Sequence, residues 1–193
     1  MASDLITGPA RLNPDHLLDV NYLISLAFLV ASLPAWAEQV CDDTGFPASA
    51  PAERFVDNGD GTVTDLSSQL MWMRCSVGQT WSQGTCGGTP DRRDWPSASA
   101  LAEEVNQAGT LFYTDWRLPR LPELASIVER NCKDPRIDLR VFPTTPAEVY
   151  WSATPRPNDG DTGLVYALDF GNQGVIPESR DQQHLVRLVR TGP

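Results

Sequence analysis

The chain has 193 residues, 41% of them hydrophobic and 21% charged, with a net charge of −10 at pH 7. The hydrophobic share fits a globular domain and excludes a disordered chain. The acidic balance disfavours nucleic acid and other polyanions as default partners, because a phosphate-tracking protein normally presents a basic face.

The first element is an apolar run, Tyr22 to Ala31, broken by Leu33-Pro34 and followed by Ala35-Trp36-Ala37. A short apolar stretch ending in a small-x-small triplet reads as a signal peptide cleaved after Ala37. The run falls short of the roughly 20 apolar residues of a transmembrane helix. No second candidate span follows, so no integral membrane span is expected after cleavage. Residues 1–20 carry Arg11 against Asp4, Asp15 and Asp19, where a signal peptide has basic residues. The translation start is therefore expected downstream of Met1, and Met1 to Asp19 is expected to be disordered. The chain divides into an N-terminal extension with signal peptide (1–37), an arm or linker (38–53) and one domain (54–193). The expected location is periplasmic or extracellular.

All four cysteines, Cys41, Cys75, Cys86 and Cys132, follow the cleavage site. An even count in an exported domain argues for disulfides, with three possible pairings. Cys75 and Cys86 flank a loop rich in Gly, Ser and Thr and form the natural local pair, which leaves Cys41 for Cys132. The rival is a metal–thiolate site. No Cys-x-x-Cys spacing exists and His184 is the one histidine after Ala37, so no metal is expected.

Next come two β-prone runs, Arg54 to Asp57 and Thr62 to Asp65, around Asn58-Gly59-Asp60-Gly61. Such a turn needs positive φ, so this is a hairpin. A calcium loop fails on spacing, since glycines fall where oxygen ligands are needed. Leu70 to Met73 reads as a short buried strand, and Cys75 to Asp94 as a polar loop. A helix is expected from Ser97, capped by that serine, with Ala98, Leu101, Ala102 and Val105 on one stripe and Gly109 as its end. A second helix opens at Leu121-Pro122, with Leu121, Leu124, Ala125 and Val128 as its stripe. Tyr150 to Ala153 and Val165 to Phe170 read as strands. Gly171-Asn172-Gln173-Gly174 is a turn, and Val175-Ile176 begins the return strand. Glu178 to Gln183 reads as a polar loop and His184 to Arg190 as a final strand. The fold class is α+β.

Several of these segments occur together in a specific order. They are Arg54 to Asp65 with Leu70-Met71-Trp72, then Asp115-Trp116-Arg117-Leu118-Pro119 with Glu123-Leu124, then Phe142-Pro143 with Tyr150-Trp151-Ser152, then Val186 to Arg190. In that order the chain resembles the family named after the C-terminal domain of the Legionella collagen-like protein, from about Arg54 to Arg190. The resemblance implies a C-type-lectin-like domain of exported bacterial proteins, mostly without known activity. The namesake is an adhesin that binds sulfated glycosaminoglycans through this domain. No collagen-like repeat accompanies it here.

Enzyme chemistry has little to work with. A nucleophile–base pair must use His184, and no nucleophile elbow, zincin motif or phosphate loop occurs. No catalytic residue and no cofactor is expected. The expected function is a non-catalytic, adhesin-like module that binds a glycan or an envelope protein. The alternative is a structural or assembly subunit of an envelope or surface appendage. Candidate ligand residues are Asp159, Asp161, Asn172, Gln173, Glu178 and Arg180 on the loops between Pro155 and Gln183. Trp81 and Trp95 are added as aromatic platforms for a sugar ring or a partner. Trp72, Trp116 and Trp151 are expected in the core.

Overall fold

The described chain enters as a two-residue strand, β1 (Val40–Cys41), antiparallel to β7 (Cys132–Lys133). The structure is a computed structural model and describes residues 39–42, 45–109, 113–157 and 163–192. The expectations for residues 1–37, and for Asp159 and Asp161, lie outside the described residues. Disulfides join Cys41 to Cys132 and Cys75 to Cys86.

Positive-φ turns then dictate the first sheet. Gly59 and Gly61 adopt φ of 81° and 91°. Asp57 accepts from Gly59 N at 2.8 Å and Asp60 from Thr62 N at 3.0 Å, so two carboxylates close the turn. Strand β2 (Phe55–Asp57) thereby meets β3 (Thr62–Asp65), which pairs with the wholly buried β4 (Leu70–Met73). The segment expected to be a plain polar loop holds a small hairpin, β5 (Thr80–Ser82) and β6 (Thr85–Gly87). Its turn is made by Gln83 and Gly84, both at positive φ.

Helix α1 (Trp95–Ala108) starts ahead of Ser97. Asp94 is the cap: its carboxylate accepts from Ser97 N at 2.8 Å, and Pro96 occupies the first turn. Gly109, at φ 62°, ends the helix as expected. Helix α2 (Leu121–Ser126) buries Leu124 and is shorter than its apolar stripe implied, since Val128 lies beyond it. The second sheet has the order β10-β9-β8, from β8 (Val149–Pro155), β9 (Leu164–Asp169) and β10 (Gly174–Ser179). Glu178 therefore belongs to a strand and not to the polar loop assigned from sequence.

The expected final strand is only partly a strand: β11 covers Val189–Thr191 and pairs with β4. The stretch before it ties the two sheets together. Leu185 N donates to Val149 O at 3.0 Å, while Val77 N donates to Val186 O at 2.9 Å and Met73 N to Leu188 O at 3.2 Å. Leu185 to Val189 are all buried for this reason. Trp72, Trp116 and Trp151 are core residues, none more than 2% exposed. Burying one large apolar side chain stabilises by about 2 kcal/mol.

Residues 45–53 lie against the domain. The Glu129 carboxylate accepts from Ser49 N at 3.2 Å, Ala50 N at 2.8 Å and Asn131 N at 2.9 Å. Burial of Glu129 would raise its pKa, and these backbone donors bring it below the ordinary range.

Candidate functional site

The residues singled out from sequence fall in separate places. Asn172 and Gln173 are exposed at the β9–β10 turn. Glu178 and Arg180 lie at the other end of β10, about 17 Å away along a strand of this length. Glu178 sits 3.5 Å from Nε2 of His184, whose ring packs on Trp151 at 4.6 Å. The Arg180 guanidinium lies 4.8 Å from the Trp95 ring centroid. Trp95 is half-buried and fixed, its indole N–H donating to Ser152 O at 3.0 Å. Trp81 is half-buried too, on β5, with the Arg74 guanidinium 4.2 Å from its ring centroid. Both tryptophans are thus only partly open, each with one face against a guanidinium.

One of these places gathers charge. Asp169, at the end of β9, accepts from Gly171 N at 2.7 Å and from Gln173 N at 3.1 Å. Those bonds shape the turn that presents Asn172. A Cβ at Gly171 would stand 2.9 Å from the same carboxylate, so a larger residue there would displace the group that shapes the turn. Arg136 N donates to Phe170 O at 2.6 Å, which brings the 130–136 segment beside the turn. The result is a hollow of about 430 Å³ lined by Arg130, Lys133, Asp134, Arg136, Gly171 and Asn172.

Arg130 and Lys133 are exposed and Arg136 is half-buried. Among the described residues none of the three has a carboxylate within ion-pair distance. Several other arginines are spent on the fold: Arg54 on Asp65 at 2.6 Å, Arg117 on Glu123 at 2.8 Å, Arg190 on Asp115 at 2.6 Å. The hollow thus concentrates uncommitted positive charge on an acidic protein. It offers two planar guanidinium forks, one ammonium and one amide against the single carboxylate of Asp134, a net positive set suited to a carboxylate, sulfate or phosphate.

The arm braces this segment. Gln39 Nε2 donates to Pro135 O at 2.8 Å, Asp42 N donates to Asn131 O at 2.7 Å, and Val40 pairs with Lys133. Sequence reasoning named Asn172 but not Arg130, Lys133 or Arg136, which line the same hollow. Their one local signal is the basic spacing around Asp134-Pro135.

The model of the Lcl C-terminal domain matches residues 61–190, from the first hairpin turn to the last strand. The chain belongs to the Lcl C-terminal domain family. No curated protein matches it. The hollow lies inside the matched span of the Lcl domain, whereas Cys41, β1 and β2 precede it. Among the described residues no helix is long and apolar enough to cross a membrane. Two disulfides fit an exported protein.

Proposed function

We propose that this chain is an exported, non-catalytic module of C-type-lectin-like type that binds an acidic glycan at the cell envelope. The observation that carries the reading is the hollow at Asn172, where Arg130, Lys133 and Arg136 stand without carboxylate partners among the described residues. A net charge of −10 does not oppose this, because a ligand of one sugar's size meets the local field. Membership of the Lcl C-terminal domain family supports an adhesin-like role, since the family's namesake binds sulfated glycans.

The test is retention on a glycan panel that pairs neutral oligosaccharides with uronate- and sulfate-bearing ones. Binding should favour the acidic members and weaken as salt rises. It should fall at least tenfold in the triple variant Arg130→Ala, Lys133→Ala, Arg136→Ala, whose melting temperature should stay close to that of the parent. Equal retention of neutral glycans, or full binding by the triple variant, would overturn the assignment.

A further inference from the structure

We propose a second binding site, in the cleft beneath the β5–β6 hairpin, that takes a small aromatic amine. This inference is independent of the basic hollow. The cleft has a volume of about 380 Å³, and Met73, Val77, Trp81 and Val105 form its apolar wall. A cavity of about 150 Å³ already accepts benzene, so this one has room for an aromatic ring and a short polar arm. Its size falls in the range of pockets that hold small organic ligands.

The cleft is built rigidly. Arg74 N donates to Gly61 O at 3.0 Å, Val77 N to Val186 O at 2.9 Å and Asp91 N to Val77 O at 2.8 Å. The Cys75–Cys86 disulfide fixes the hairpin to the strand that forms the floor. Two glycines allow the close approach of the walls. A Cβ at Gly61 would lie 2.8 Å from the Trp81 ring, and one at Gly78 would lie 2.5 Å from the Asp91 amide. A pocket held open in this way loses little conformational freedom when a ligand enters.

Charge selects the ligand. The half-buried carboxylate of Asp60 lines the cleft. Its Oδ1 accepts from Thr62 N at 3.0 Å and from Thr62 Oγ1 at 2.6 Å. Among the described residues no cation pairs with Asp60. The nearby Arg74 is already committed to Asp57 at 2.6 Å. An apolar wall with one uncompensated carboxylate favours a ring that carries an ammonium group and rejects one that carries a carboxylate.

The experiment uses the cleaved, oxidised protein with its methionine methyls labelled with carbon-13. Met73 is distinguished from Met71 by the spectrum of Met71→Leu. Titration with 2-phenylethylamine should shift the Met73 methyl saturably, and 3-phenylpropionate should bind at least tenfold more weakly. Asp60→Asn keeps an oxygen for Thr62 and should abolish the preference for the amine. Val105→Phe, which fills the cleft from α1 and leaves Asp60 in place, should block both ligands. Absence of a saturable Met73 shift, equal affinity for the two probes, or an unchanged preference in Asp60→Asn would each overturn the proposal.

Discussion

Arg187 donates from its guanidinium to Thr145 Oγ1 at 2.6 Å, both side chains deep in the core. Among the described residues no carboxylate lies within ion-pair distance of it. Its other acceptors are Met73 O at 2.9 Å, Arg74 O and Ser76 Oγ at 3.5 Å, and the Phe142 ring centroid lies 4.8 Å from its guanidinium carbon. Burial lowers its pKa from the ordinary guanidinium value, and the phenol of Tyr150 opposes that shift. The group therefore acts as a cross-brace, joining the end of β4 to the loop before β8.

Removing it leaves carbonyls of the first sheet without donors. Arg187→Met and Arg187→Lys should each destabilise the domain by about 3 kcal/mol in denaturant unfolding. A methionine variant as stable as the parent would mean that the guanidinium contributes nothing net.

Acid should loosen the first sheet through Asp65. Burial alone would raise its pKa, but the Arg54 guanidinium and the Ser67 and Ser68 donors hold it at about 2. A carboxylate depressed in the folded state stabilises above its unfolded pKa, and that stability is lost as pH falls through the folded value. The window is therefore from the unfolded value of 3.8 down to about 2. Across it the parent should lose about 2 kcal/mol, read by unfolding at a series of pH values. Asp65→Asn should start lower and show a shallower fall.

Gly61→Ala should cost about 2 kcal/mol, because the position has φ of 91° and its Cβ would meet Trp81. Gly59→Ala, where nothing lies within 4 Å of a Cβ, should cost less, through its positive φ alone. Comparing the two melting temperatures separates conformational strain from the steric clash.

Cys41→Ser with Cys132→Ser should destabilise by about 3 kcal/mol, since the bridge closes a sequence separation of 91 residues. Amide exchange at Asp42 and Asn131 should accelerate in that variant, because β1 then holds β7 by very few hydrogen bonds. Unchanged exchange would show that Gln39 and Glu129 suffice to hold the arm.

Local chemistry explains what could be read in advance. The β2–β3 hairpin was legible because Asn58-Gly59-Asp60-Gly61 states its own backbone geometry. Gly109 named the end of α1 in the same way. The start of α1 was misplaced because Ser97 and Asp94 are both capping residues, and the first turn of Trp95-Pro96 decides between them. The β5–β6 hairpin was hidden because Gln83 supplies a positive φ that glutamine rarely adopts. The path of His184 to Leu188 was illegible, since its pairings go to three distant segments and no period records them. The basic hollow was out of reach for a similar reason. Arg136 meets Asn172 through a backbone bond to Phe170, which local sequence does not encode.

Lys133 is the only lysine in the chain, and it lines the basic hollow beside Cys132. Reagents that react with primary amines therefore have one side-chain target besides the N-terminus. A sensor chip, bead or fluorophore coupled through the Lys133 amine would occupy the hollow and mask the acidic-sugar binding proposed for it. Attachment through an engineered C-terminal tag leaves the hollow open.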